Sequence, residues 1–147
     1  MTFQPPGGGL NNTAEYMTSG LPWVSSSAIP SGSTWRVDFP YVTSHLLIQN
    51  AGAAASQLGV GFSLSGSQGS NRFLLSSTTT TQGQLSHHIR VATLYITALS
   101  NGVTASIFAG LTTIPTRSFP ILTGSAPVAY DPTGSVYENY LSYPGLG

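Results

Sequence analysis

The sequence predicts an all-β protein, an antiparallel β-sandwich or barrel of about eight strands. Apolar and polar residues alternate with period two in one run after another, which puts every second side chain on one face. Gly, Pro, Asn and Ser turn signals separate those runs. No stretch has the length or composition of a helix, because Gly, Ser, Thr, Pro and β-branched residues dominate and Lys is absent.

The runs follow in order along the chain. Trp35, Val37 and Phe39 alternate with Arg36 and Asp38, and Pro40 ends the run. Leu46 and Ile48 alternate with Leu47 and Gln49 before Asn50-Ala51-Gly52. Leu58, Val60, Phe62 and Leu64 interleave with Gly59, Gly61, Ser63 and Ser65, and Gly66-Ser67-Gln68-Gly69 follows as a turn. Phe73 and Leu75 come next, then Leu85–Ile89, Val91–Leu99, Val103–Ala109 and a short run from Phe119 to Leu122. The expected core is Trp35, Val37, Phe39, Leu46, Ile48, Leu58, Val60, Phe62, Phe73, Leu75, Leu94, Ile96, Val103, Ala105 and Ile107. Ala51–Ser56 is the best helical candidate, and it is short and broken by Gly52. Thr78–Thr81 reads as an exposed loop. Asn101-Gly102 is a two-residue hairpin signal between two long runs; it joins either an adjacent pair or the two sheets at a corner, and the sequence leaves both open.

Residues 34–123 hold the alternating runs. Residues 1–33 lack them and open with Pro5-Pro6-Gly7-Gly8-Gly9, which suits neither a helix nor a central strand. Phe3, Leu10, Tyr16, Met17, Leu21, Trp23 and Ile29 nevertheless punctuate this stretch, unlike a flexible linker. It reads as an extended N-terminal arm. Residues 124–147 form a C-terminal tail rich in Pro and Gly, with Tyr130, Tyr137, Tyr140 and Tyr143. Tyrosine supplies contact area at low entropy cost. Both segments could pack on their own sandwich, but they are expected to contact neighbouring chains, with Phe3, Leu10, Trp23, Tyr137 and Tyr140 as candidate assembly contacts.

Only 5% of the 147 residues are charged, the formal net charge is zero, and there is no cysteine. Nucleic-acid binding needs clustered positive charge, and four scattered Arg do not supply it. No run of about 20 apolar residues forms a transmembrane segment. The missing cysteines exclude a disulfide scaffold and a thiolate metal site. The N-terminus shows no secretory leader, so Asn11-Asn12-Thr13 is read as a chance match to the glycosylation acceptor. A neutral surface is poorly protected against association, which points to a subunit of an assembly.

The inventory for catalysis is thin. Asp38 is the only carboxylate within residues 34–123; Glu15, Asp131 and Glu138 lie in the arm and tail. A glycosidase needs two carboxylates about one bond. Gly61-Phe62-Ser63-Leu64-Ser65 fails the last position of a nucleophile elbow, and Ser63 is expected as a solvent-facing strand residue. His87 and His88 point to opposite faces of a strand and cannot share a metal, though His45 could join one of them. Gly7-Gly8-Gly9 lacks the strand and the Lys of a phosphate loop. Arg36 and Asp38 share a strand face and can pair. The expectation is a protein with no catalytic residue, no metal and no cofactor.

The segment Phe39-Pro40-Tyr41-Val42-Thr43-Ser44-His45-Leu46-Leu47-Ile48-Gln49-Asn50 resembles the start of the jelly roll in penton proteins of nucleocytoplasmic large DNA viruses. Leu58-Gly59-Val60-Gly61-Phe62, Asn71-Arg72-Phe73-Leu74-Leu75, Ala92-Thr93-Leu94-Tyr95-Ile96 and Ala109-Gly110-Leu111-Thr112-Thr113-Ile114-Pro115 are similar to the same scheme. The resemblance covers residues 34–123. It implies a single jelly roll, a structural role without catalysis, and a homopentamer at each five-fold vertex of an icosahedral capsid. Neighbouring major (double jelly-roll) and minor capsid proteins would be its partners, in a virion assembled in the reducing host cytoplasm. Another virion β-domain (a minor capsid, decoration or fibre-tip protein) and a carbohydrate-binding β-sandwich are the alternatives. The latter would expose aromatics beside Asn and Asp, whereas Trp35 is expected in the core.

Overall fold

The computed structural model describes residues 20–122, 140–141 and 145–146. The alternating runs become strands β1 (Leu21–Ile29), β2 (Thr34–Asp38), β3 (Tyr41–Asn50), β4 (Gln57–Gly61), β5 (Phe73–Ser76), β6 (Gln84–His87), β7 (Thr93–Ala98) and β8 (Val103–Pro115). A short helix α1 (Leu64–Gln68) lies between β4 and β5. A 3-10 turn at Thr116–Ser118 leads to β9 (Ile121–Leu122), which pairs in parallel with β10 (Tyr140–Leu141).

Two four-stranded antiparallel sheets make the sandwich, in the orders β1-β8-β3-β6 and β2-β7-β4-β5. Of the consecutive strands β1 to β8, only β4 and β5 are hydrogen-bonded neighbours; every other connection passes from one sheet to the other. This is the jelly-roll arrangement, two interleaved Greek keys. Asn101-Gly102 accordingly forms a corner between sheets, from β7 to β8, and Gly102 takes the left-handed conformation this requires (φ +76°).

Alternation decides which side chains meet between the sheets. Leu46, Ile48, Val103, Ala105, Ile107 and Ala109 from the first sheet face Val37, Leu58, Val60, Leu94, Ile96 and Ala98 from the second, and all are buried. Each large aliphatic among them contributes about 1.5–3 kcal/mol by leaving water. Polar groups at the connections are satisfied. Asn50 is buried, donates through Nδ2 to the carbonyls of Ser56 (3.1 Å) and Leu75 (3.2 Å), and accepts at Oδ1 from the Gly52 amide (3.1 Å) and the Ser56 hydroxyl (3.3 Å). Thr43 sits at an irregularity of β3, donates to the Ile89 carbonyl (2.8 Å) and accepts from the Val91 amide (3.0 Å). Among the described residues, no buried side-chain nitrogen or oxygen lacks a partner.

Several expectations change. The sandwich begins at Leu21 rather than at residue 34, because β1 pairs with β8 from Leu21↔Leu111 to Ile29↔Val103. The run starting at Leu58 stops at Gly61, and Leu64–Gln68 is helical. Ser63 is not a solvent-facing strand residue: it is 1% exposed, its hydroxyl accepts the Gly66 amide at 3.0 Å as the N-cap of α1, and it donates to the Leu146 carbonyl. Gly61 allows the close approach of α1, since a Cβ there would lie 2.6 Å from the Ser67 nitrogen. Phe73, expected in the core, is 56% exposed, because it opens the edge strand β5, which pairs only with β4. Trp35 and Phe62 are half-buried against the core rather than within it. Val42, Val91, Leu111 and Leu146 are buried although they were not expected to be.

Candidate assembly surfaces

None of β1, β3, β6 and β8 contains Asp, Glu, Lys or Arg. The outer face of this first sheet is therefore charge-free, and an apolar row crosses it. Val24 on β1 pairs with Phe108 on β8, which pairs with Leu47 on β3. Val24 is 68% and Phe108 45% exposed. Directly paired side chains on one sheet face lie close enough to act as a unit. Ser26 and Ser106 are hydrogen-bonded (3.2 Å) in the next row on one side. On the other side, Pro22, Gly110 and His45 share a row.

His45 stands beside His88 with ring centroids 5.0 Å apart, and its Nε2 is hydrogen-bonded to the Ser86 hydroxyl at 3.1 Å. The register Leu46↔His87 explains this choice, because it sets His87 on the inner parity and aligns His88 with His45. Among the described residues, no three of His, Asp and Glu gather into a group that could hold a metal ion. Among the described residues Asp38 has no second carboxylate beside it; it accepts from Arg36 Nε (3.1 Å) and from the Thr93 hydroxyl (3.0 Å) on the outer face of the second sheet. The hydrogen bond to Asp38 holds the Arg36 guanidinium pKa above its ordinary value. Both side chains are exposed, so the pair is worth about 0–1 kcal/mol.

An open cleft of about 730 Å³ lies at one end of the sandwich, lined by Gln49, Ser77, the loop Thr78–Thr81, Gln82 and Gln84 among others. Thr78 closes that loop, accepting the Thr81 amide at its hydroxyl (2.9 Å). The lining holds neither an aromatic ring nor a charged group.

The candidate assembly contacts fall differently. Trp23 lies on β1 and is half-buried, its ring edge-to-face with Phe39 at a centroid distance of 4.9 Å, so it serves its own core. Tyr140 belongs to β10, aligned with Ile121. Phe3, Leu10 and Tyr137 lie outside the described residues. Leu146, in the tail, is buried against its own sandwich, with its carbonyl beside Ser63 and Gly66. Sequence reasoning missed the Val24–Phe108–Leu47 row because it exists only once the register of three strands is set. The alternation of Phe108 against Ile107 and Ala109 was the available signal.

No family model, no curated protein and no solved structure matches this chain.

Proposed function

We propose that this chain is a structural capsid protein that forms a homopentamer at the five-fold vertices of an icosahedral shell and contacts neighbouring major and minor capsid proteins there. The observation that carries this reading is the strand order β1-β8-β3-β6 against β2-β7-β4-β5 with a single hairpin. That arrangement is shared by viral capsid domains, and also by lectins and cupins. The near absence of charge favours the assembly reading among these, as does the lack of a His and carboxylate cluster among the described residues.

The geometry suits a ring. The four-residue turn 30–33 joins β1 to β2, so these edge strands share one flank, and β5 and β6 share the other. Two unlike flanks meet head to tail in a closed heterologous ring. The edge strand β1 is nine residues long and uncharged, with Pro22 as its only brake on pairing with another chain. Native mass spectrometry of the full chain tests the reading. A pentamer is expected; a trimer would favour a fibre tip and a stable monomer a carbohydrate-binding module. Cryo-electron microscopy of particles would then locate the pentamer at or away from the vertex.

A further inference from the structure

The charge-free outer face of the first sheet exposes Phe108 and Val24 in one apolar row with Leu47, and the chain approaches that face from outside it. The approach is fixed at Gly20. Gly110 has the parity of Phe108, and an added Cβ on Gly110 would point outward, 3.8 Å from the Cβ of its cross-strand partner His45. That same Cβ would lie 3.7 Å from the Cα of Gly20. Gly20 therefore rides over Gly110 on the outer surface. The crossing is tight: a Cβ on Gly20 would come within 2.6 Å of the Gly110 carbonyl carbon. Two facing glycines allow one segment of backbone to lie on another.

We propose that residues 1–19 of the same chain lie across this face and cover the row. The distances suit it. The row of Phe108 is two residues along β8 from Gly110, about 7 Å, and Leu47 and Val24 sit one strand away on either side, about 4.8 Å each. Met17 and Tyr16 precede Gly20 by three and four residues, a reach of up to about 10–14 Å. They are the first large apolar side chains before the crossing, and Leu10 and Phe3 follow them outward along the chain. The chemistry matches as well. Residues 1–19 contain a single charged side chain, Glu15, and the strands they would cover contain none. Burying the row against another part of the same chain removes the exposed apolar area without requiring a second protein. This proposal is independent of the capsid reading.

The absence of native cysteine makes the test clean. In the full chain, Thr18→Cys is combined with Ser86→Cys, which lies on the same face beside Leu47, and in a control with Ser76→Cys on an edge strand of the other sheet. Both pairs are treated with a short bismaleimide and resolved by gel and mass spectrometry. An intrachain crosslink in the first pair, at least tenfold above the control, is expected. A crosslink only between chains would overturn the proposal and assign the face to the neighbouring copy's segment. No crosslink above the control would overturn it as well. Chymotrypsin gives a second readout that needs no cysteine. Cleavage after Tyr16 in the folded protein should be at least tenfold faster in Phe108→Ser than in the wild type, with the melting transition retained. Equal cleavage rates would mean that the row holds nothing.

Discussion

Replacing Asn50 with alanine removes four hydrogen bonds from a site with no exposure to water. The losses are unequal. The Ser56 carbonyl keeps the Ser77 amide at 2.9 Å, so its share is small. The Gly52 amide and the Ser56 hydroxyl both lose the oxygen to which they donate. A stranded buried donor costs about 1–3 kcal/mol. Two of them, partly relieved by rotation of the hydroxyl, give about 2–5 kcal/mol, which for a domain of this size lowers the melting temperature by on the order of 10 °C. Urea melts of Asn50→Ala beside Gln49→Ala provide the assay. Gln49 is the neighbouring strand residue on the outer face, and its loss should stay within about 0.5 kcal/mol. Asn50→Asp adds a check on mechanism. It keeps the acceptor oxygen that faces the Gly52 amide and the Ser56 hydroxyl but, when ionised, offers no proton to the Ser56 and Leu75 carbonyls. Burial favours the neutral acid, so the folded pKa of the new carboxyl lies above its unfolded value. The variant should then be most stable below the ordinary carboxylate range and lose stability as pH rises from that range through the raised folded value. If Asn50→Ala melts like Gln49→Ala, the hydrogen bonds at this corner do not hold the fold, and the reasoning fails.

Ile48→Ala should cost about 2–5 kcal/mol in chemical denaturation, since Ile48 is wholly enclosed between the sheets; a loss below about 1 kcal/mol would mean that the core lies elsewhere. Ser63→Ala removes the cap of α1 and the bond to the Leu146 carbonyl, so a loss of about 0.5–2 kcal/mol is expected, together with faster amide hydrogen exchange confined to α1. Arg36→Ala and Asp38→Ala should each shift stability by less than about 1 kcal/mol, with little change when salt is raised to screen the pair.

The strands were legible where a single period governs a buried face, as from Trp35 to Phe39 and from Val103 to Ala109. They were less legible where the chain changes task within a run. Phe62 and Leu64 continue the alternation begun at Leu58, yet Ser63 turns inward to cap a helix, a role set by tertiary contact with Gly61 and Leu146. Ser25–Ser27 fell within the stretch read as an extended arm, because three serines standing together show no alternation. In the sheet, Ser26 faces out while Ser25 and Ser27 have the inward parity, and the segment is held by pairing with β8 rather than by its own propensity. Pairing order was not legible from periodicity: Asn101-Gly102 fits a hairpin and a corner equally, the partners of most strands lie far along the chain, and only the resemblance implied the jelly roll. The assembly surface suffered the same limit, because Val24, Phe108 and Leu47 are unrelated until three registers align them.

The place of β8 has a consequence for how the chain is made. This strand stands second in its sheet and bridges β1 to β3, and it is the last of the eight to be synthesised. Until it emerges, β1 and β3 have nothing between them. The pair Leu21↔Leu111 closes a loop of most of the domain. A sheet completed from its far end folds late and slowly, because the entropy of closing long loops is lost before the contacts form. A nascent chain stalled before Val103 should hold the first sheet open and expose the uncharged β1 to other copies, which is the state in which such chains aggregate. The emergence of β8, rather than the appearance of any earlier strand, is then the event that allows the sandwich to close.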